Sequence, residues 1–276
     1  MDLRHHLELE LPFDEFRVRS QQVRPTLEAA GVEAECLSVL DYVCTEMLNN
    51  VLDHSGASSA LLGFDWNDKV VAMRIDDPGR GIFANLRQQL SLESDADAAL
   101  LVLKGKVTTD PARHTGEGLF FASRACEWFS LQSGNLVLSM KAASGHWLYD
   151  TPNETIVGTR LRFHVRCTNA SALKALFDRF CPQPEQRFTK TEVSVALWQQ
   201  TDGALVSRSQ GKRLVSGLDR FTAVDFDFAG VDNMQQGFAD EVFRVWAQAH
   251  PDIQIALRST NEAVAAMLRR VGFSAN

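Results

Sequence analysis

Glu46, Asn49, Asn50, Asp53 and His54 fall within "TEMLNNVLDHSG" (45–56), whose other members are mostly Met, Leu and Val. At about 100° per residue, Leu40, Val43, Cys44, Met47, Leu48, Val51 and Leu52 share one side of a helix, and Glu46, Asn49, Asn50 and Asp53 fall opposite. Glu46 and Asn50 are then one turn apart on a common face. A carboxylate and an amide oxygen in that relation suit proton abstraction and the holding of a hard cation. A solvated helix face would give a similar pattern, but such faces usually mix both signs of charge. No Lys or Arg occurs from Pro25 to Asp68, while Glu28, Glu33, Glu35, Asp41, Glu46, Asp53, Asp65 and Asp68 are all acidic.

Three further stretches carry chemistry. "DDPGRGI" (76–82) places Asp77 after a strand, followed by Gly79 and Gly81, which permit close backbone approach or positive φ. Asp-Pro-Gly is also an ordinary turn. In "HTGEGLFFASRACE" (114–127), Thr115, Gly116 and Gly118 precede a helix beginning with Leu119 and Phe120. Free N–H groups reached through glycines suit a phosphate, although a plain helix entry reads the same way. "IVGTRLRF" (156–163) opens a late strand with Gly158 and Thr159 and carries little information alone.

The elements that would hold these residues can be read from periodicity. "LELEL" (7–11) alternates as a strand, "FRVRSQQVRPTLEAAG" reads as a helix ended by Gly31, and the Glu46 helix runs from about Glu35 to His54. Two strands, "SSALLGFDW" and "KVVAMRID", meet at Asn67-Asp68. A long segment, 84–115, contains the helical stretch "DADAALLVLKGK", and a further helix begins near Gly118. The strands "WFSLQ", "NLVLSMK" and "TRLRFHV", the helix "SALKALFDRF" and the linker-like "CPQPEQR" follow. From Thr191 the order is strand, helix, strand, helix, strand, helix: "EVSVALW", "SRSQGKRLVSGLDRF", "AVDFDF", "GFADEVFRVWAQAH", "IQIALR" and "NEAVAAMLRRVG". That alternation predicts a small α/β domain.

The 276 residues allow one large or two ordinary domains. A net charge of −7 disfavours a broad nucleic-acid-binding surface, so proteins or small ligands are the expected partners. The five cysteines, Cys36, Cys44, Cys126, Cys167 and Cys181, form no C-x-x-C pair and read as core residues in a reducing compartment. No stretch has the length and apolarity of a membrane span or signal peptide. A cytoplasmic protein is expected.

The order of the motifs adds to each of them. Glu-x-x-x-Asn on a helix, Asp-x-Gly-x-Gly after a strand, a long variable segment, Gly-x-Gly-Leu at a helix start and Gly-Thr on a later strand resemble the GHKL ATPase superfamily, which includes gyrase-type, histidine-kinase and MutL ATPases. The spacing of Glu46, Asn50 and His54 is most similar to the anti-sigma-factor serine kinase branch. His5 and His6 stand beside a predicted strand rather than on a phospho-accepting hairpin, which sets a histidine kinase aside. The stretches "LVSRSQGKRLVSGLDRF" and "VDFDFAGVDNMQQGFADEVFRVW" resemble a STAS-like domain of unknown function that occurs fused to such ATPase modules. The resemblance implies an α+β protein: a GHKL two-layer α/β sandwich over 1–182, then a small α/β STAS-like domain over 189–276.

It also implies roles. Glu46 would be the general base and Asn50 the Mg²⁺ ligand. Asp77 would accept a hydrogen bond from the adenine amine with support from Thr159, and Gly79 and Gly81 would let the chain pass the base. Thr115, Gly116, Gly118 and Leu119 would form the phosphate loop, and 84–115 a lid carrying Lys104, Lys106 and Arg113, with Arg113 the candidate for a γ-phosphate contact. His54 is expected to be structural. Two positions depart from the pattern: Phe120 follows Leu119 where the family often has Gly, and Met234, Gln235 and Gln236 stand where STAS-type substrates carry a phosphorylatable Ser. The implied function is an MgATP-binding regulatory switch that controls a protein partner by hydrolysis or phosphoryl transfer. The alternative is a non-catalytic interaction module for which ATP is a structural or sensing ligand. A homodimer is implied by resemblance only; no membrane and no direct nucleic-acid partner are expected.

Overall fold

The computed structural model describes residues 3–108, 115–143, 145–166, 171–182 and 187–273. The chain divides into two compact units, one made of residues 1–99 and 108–176, the other of 100–107 and 177–276. The chain as a whole is α+β, the first unit built around a large antiparallel sheet and the second around a small parallel one with helices between its strands.

The first unit begins with β1 (His5–Glu10) and a helical run that is α at its ends (α1, Glu15–Arg17; α2, Arg24–Ala29) and π-wound across Val18–Val23. The long helix α3 (Ala34–Asn50) widens into a π turn, Val51–Ser55, and stops at Gly56, which takes a left-handed conformation. β2 (Ser59–Trp66) and β3 (Val70–Asp77) are joined by a turn in which Asn67 Oδ1 accepts from the N–H groups of Lys69 and Val70. Then come α4 (Ile82–Leu90), α5 (Asp95–Lys104), α6 (Gly118–Ala125), β4 (Trp128–Gly134), β5 (Leu136–Lys141), β6 (His146–Asp150), β7 (Ile156–Arg166) and α7 (Ser171–Phe180). The division between units falls inside α5.

Seven strands pair in the order β1-β2-β3-β7-β4-β5-β6, every neighbour antiparallel. Because side chains alternate between faces, registered residues form rows across the sheet. One row runs Phe64, Met73, Phe163, Phe129, Met140, Trp147, and the next Leu62, Ile75, Leu161, Leu131, Leu138, all buried. Val43, Met47 and Leu48 of α3 are likewise buried, as the 3.6-residue period of that helix requires. Burial of side chains this size contributes about 1.5–3 kcal/mol each, which ties the helix to the core. α4 and β6 are absent from the sequence reading, since "IFANLRQQL" is half polar and "HWLYD" is a short edge strand with Leu148 exposed.

The second unit contains β8 (Lys190–Ser194), α8 (Val195–Asp202), α9 (Arg208–Val215), a 3₁₀ turn (Leu218–Arg220) and β9 (Ala223–Asp227). Next comes α10 (Gln236–Ala239), continuous through the π-wound Asp240–Trp246 with α11 (Ala247–Ala249), then β10 (Gln254–Arg258) and α12 (Glu262–Arg270). The strands are parallel in the order β10-β9-β8. "EVSVALW" reads as one strand, but the strand ends at Ser194 and Val195 begins a helix. Val195, Leu197 and Trp198 are all buried, and so short an apolar run does not reveal its period. Phe238, Phe243 and Trp246 pack inward as core. Among the described residues no helix is long and apolar enough to cross a membrane.

Candidate functional site

The third row on the apolar face of the large sheet is polar. Asp77 of β3 pairs with Thr159 of β7, which pairs with Ser133 of β4, and all three are buried. They occupy the same phase as the Leu/Ile and Phe/Met rows, where a sheet that only packs would continue apolar. Asp77 is 5% exposed. Burial pushes its carboxyl above the ordinary range; hydrogen bonds from Gly79 and from Thr159 oppose that shift without cancelling it.

The turn after Asp77 folds onto the end of α3. Gly79 N–H donates to Asp77 Oδ1 at 3.0 Å and Arg80 N–H donates to Ser55 O at 2.9 Å. A Cβ at Gly79 would lie 2.2 Å from Ser55 O, so only glycine fits between the turn and the helix end. Gly81 has a φ of +77° and starts α4, whose first N–H, from Ile82, donates to Thr159 Oγ1 at 3.1 Å. Ser133 Oγ closes the cluster by donating to Gly158 O, and a Cβ at Gly158 would stand 1.8 Å from Asp77 O. Ser133 and the Ser55 carbonyl are site members that the sequence reading missed; a serine ahead of a glycine in a strand is too common to signal.

α3 brings the second half. A Cβ on Gly118, the first residue of α6, would lie 1.9 Å from Glu46 Oε2, so the glycine start of α6 rests against the Glu46 carboxylate. One turn on, the Asn50 side-chain nitrogen is buried without a hydrogen-bond partner. Oxygen and nitrogen of an amide are assigned from the hydrogen-bond network, so what the structure places here is an amide end with unused hydrogen-bonding capacity. Asp53 is exposed, and His54 lies in the π turn that ends the helix. Not every acid of the cation-free stretch faces this site: Asp41 pairs with Arg19 at 3.0 Å and with Arg24, Glu28 pairs with Arg24, and Asp65 pairs with Arg4.

Thr115 is exposed, Gly116 has a φ of +70°, and Leu119 is half-buried in the first turn of α6. Arg113 lies outside the described residues. The chain from Thr115 to Leu119 therefore offers a left-handed glycine, a helix start and the Glu46 contact within five positions. Among the described residues no group of three or more His, Cys, Asp or Glu side chains could hold a metal ion. An arrangement in which Asn50 is the single protein ligand does not require one.

One stretch of the second unit matches a known family. Residues 210–265 match the sequence model of the STAS-like domain of unknown function (DUF4325). No curated protein matches the chain. The match takes in most of α9, then β9, β10 and the start of α12, while β8, which completes the parallel sheet, precedes the matched residues. On the polar face of that sheet, Asp225 is held by Lys190 at 3.0 Å and by Arg258, which also pairs with Glu192 at 2.8 Å. In the connection after β9, Phe228, Val231 and Met234 are buried, and the exposed Gln235 and Gln236 lead into α10. Lys104 and Lys106, expected in a nucleotide-facing neighbourhood, instead donate to carbonyl oxygens of the STAS-like unit: Lys104 to Arg213 and Ser216, Lys106 to Arg220.

Proposed function

We propose that the first unit binds MgATP in the manner of a GHKL ATPase and that the protein is an ATP-dependent regulatory switch acting on a protein partner. The observation that carries this reading is the convergence of four separate segments: Glu46 and Asn50 on α3, the Asp77–Gly81 turn, the Gly118 start of α6, and Thr159 on β7. The residues fit such a ligand. Asp77 is a buried acceptor in the polar row of the sheet's apolar face, the Asn50 amide has capacity to spare, and neither Gly116 nor Gly118 has a side chain of its own to hold a phosphate off.

Each side chain then has a task. Asp77 accepts a hydrogen bond from an exocyclic amine, which favours adenine over guanine, whose corresponding position carries an oxygen. Thr159 and Gly79 hold that carboxylate in place. Asn50 would offer its amide oxygen to Mg²⁺. Gly116 and Gly118 would present N–H groups to phosphate oxygens at the positive end of α6. Glu46, against Gly118, takes the proton from an attacking hydroxyl or water. Bound MgATP would supply the transferable phosphoryl group and the cation that offsets its charge.

Calorimetric titration of the full chain with MgATP and MgGTP, with Asp77→Asn alongside, tests the adenine assignment. The expected outcome is a preference for ATP that Asp77→Asn abolishes or strongly weakens. Equal binding of ATP by Asp77→Asn and the parent would sink it. A single-turnover incubation with γ-labelled ATP then follows the label: free phosphate that disappears in Glu46→Ala means hydrolysis, and label remaining in ATP until a partner is added means phosphoryl transfer.

A further inference from the structure

The face of the large sheet opposite its apolar rows has a charged centre. One row of that face runs Gly63, Arg74, Arg162, Ser130, Ser139, Leu148, and in the next Asp76 stands opposite Arg160. Arg74 and Arg162 are direct cross-strand partners, a position in which like charges repel. The neighbouring carboxylate is already shared, since Asp76 pairs with Arg74 and, at 3.2 Å, with Arg160. Arg160 also reaches the exposed Glu154 at 3.8 Å. Arg162 has no ion pair or hydrogen bond among the described residues, and its Nε is buried without a partner. Burial first, and then Arg160 and Arg74, push its guanidinium below the ordinary range; Asp76 and Glu154 oppose that shift without cancelling it.

His164 lies two positions further along β7 on the same face, about 7 Å away along the strand. Its Nε2 is likewise buried without a partner, and burial lowers its pKa, which favours the neutral ring. Each nitrogen of a neutral imidazole is a donor or an acceptor, so either tautomer leaves Nε2 with unused capacity. The ring lies 4.8 Å from that of Trp128. On the other side of Arg162, Ser130 and Ser139 keep the row low as far as the edge strand β6. There Leu148 is 55% exposed, about 14 Å from Arg162 across three strand spacings.

We propose that this face docks an acidic segment of a partner protein, whose carboxylate takes the place beside Arg162 that no described residue fills and whose apolar side chain covers Leu148. Charge complementarity carries the choice of occupant: three guanidiniums share Asp76 and the exposed Glu154, and the one left over has a donor fork that matches a carboxylate. Within the fold alone Arg162 is a cost, because a desolvated charge opposite a like charge stabilises nothing. Arginine and tryptophan beside an exposed leucine are also the residues of a protein interface, and a free anion would leave Leu148 in water. The proposal does not rest on the nucleotide reading, because Asp77 and Thr159 point to the other face of the same strands.

The test is fluorescence anisotropy of the full chain with two labelled peptides, Glu-Glu-Ser-Thr-Leu-Leu and Gln-Gln-Ser-Thr-Leu-Leu, whose ends reach that far when extended. The parent should bind the glutamate peptide at least about tenfold more tightly than the glutamine one, and Arg162→Gln should erase the difference. Leu148→Ser should weaken both peptides. The urea midpoint of Arg162→Gln should equal or exceed the parent's, since the change removes a desolvated charge that faces Arg74, and this separates lost binding from lost folding. No saturable binding of the glutamate peptide, equal binding of the two peptides by the parent, or an undiminished preference in Arg162→Gln would overturn the proposal. Displacement of the glutamate peptide by inorganic phosphate, with Leu148→Ser binding it as the parent does, would also overturn it, as an anion site without a docking surface. So would a dimer in sedimentation equilibrium that Arg162→Gln dissociates while neither peptide binds, which would make the face a contact between two copies.

Discussion

Replacing Gly118 by alanine separates the placement of the Glu46 carboxylate from the stability of the fold. Gly118 opens α6 with helical backbone, so alanine there gains up to about 1 kcal/mol of helix propensity. The new methyl carbon would lie 1.9 Å from Glu46 Oε2 and 2.9 Å from its carboxyl carbon, but 3.5 Å from its Cβ. The overlap is thus confined to the far end of a side chain that can turn away. Forcing Glu46 off its rotamer costs roughly 0.5–1.5 kcal/mol, which nearly offsets the propensity gain. The net change in stability should stay within about 1 kcal/mol, read as an almost unchanged urea midpoint by circular dichroism. Turnover should behave differently, because removing a positioned general base lowers rates by about 10²–10⁴. Single-turnover kinetics with γ-labelled ATP on the parent, Gly118→Ala and Glu46→Ala would read that effect. If Glu46→Ala were inactive while Gly118→Ala kept full turnover, the idea that the carboxylate must stay against Gly118 would be refuted. A loss of more than about 3 kcal/mol would instead show that the backbone, not the side chain, absorbs the overlap.

Two other glycines separate conformation from contact: both Gly134 and Gly158 have positive φ, but a Cβ at Gly134 meets nothing within 4 Å whereas one at Gly158 meets Asp77 O at 1.8 Å. Gly134→Ala should lose about 1–2 kcal/mol, and Gly158→Ala at least about 2 kcal/mol more together with ATP affinity, by urea unfolding and calorimetry. Since the Asp77 carboxyl is raised by burial, ATP affinity should fall as pH falls through that raised value, and Asp77→Asn should lack the dependence in a calorimetric pH series. The stability linkage has the matching sign: the folded state holds the Asp77 proton more tightly, so its contribution is most favourable below the unfolded carboxylate pKa and is lost as pH rises through the folded one. Asp77→Asn should therefore not lower the melting temperature at neutral pH. Asp225→Ala should destabilise the STAS-like unit by about 1–3 kcal/mol in urea unfolding, since it leaves Lys190 and Arg258 without their shared acceptor, both partly screened by solvent.

What the sequence shows of this molecule follows from the range of the interactions. The strands holding Asp77 and Thr159, and the helix holding Glu46 and Asn50, are legible because each is specified by its own period, and the helix run is also ended by Gly56. The mixed α+β class was what the family resemblance implied, and the structure has it. Glu46 against Gly118, or Arg80 N–H on Ser55 O, is a meeting of segments distant in the chain, and no local pattern encodes it. Asp41 illustrates the reverse error: it contributes to an acidic run with no internal cation, yet Arg19 and Arg24, just outside the run, neutralise it. Lys104 and Lys106 are legible only as cations near a glycine loop, whereas their acceptors are carbonyl oxygens at helix ends more than a hundred positions later. The boundary inside "EVSVALW" is hidden for another reason, since a run buried in both conformations has no solvent face to mark its period.

The two most buried aspartates among the described residues differ in what compensates their charge. Asp225 is 3% exposed, and Lys190 and Arg258 compensate its charge on the face of the small sheet. Its burial is accounted for within the fold. Asp77 is buried almost as deeply, but the groups that oppose its raised pKa are the N–H of Gly79 and the donors of Thr159, none of them a cation. A carboxylate in that setting weakens the fold in its charged form, and an amide or an apolar side chain would end the row at lower cost. The surrounding glycines add to the commitment, because Gly79 and Gly158 hold positions that a side chain would fill. In the reading proposed above, a buried acceptor without a cation, beside a turn that meets the end of α3, would be complementary to a neutral donor such as an adenine amine. As a purely structural device it would be a poor one, and the proposed ligand would give its burial a use.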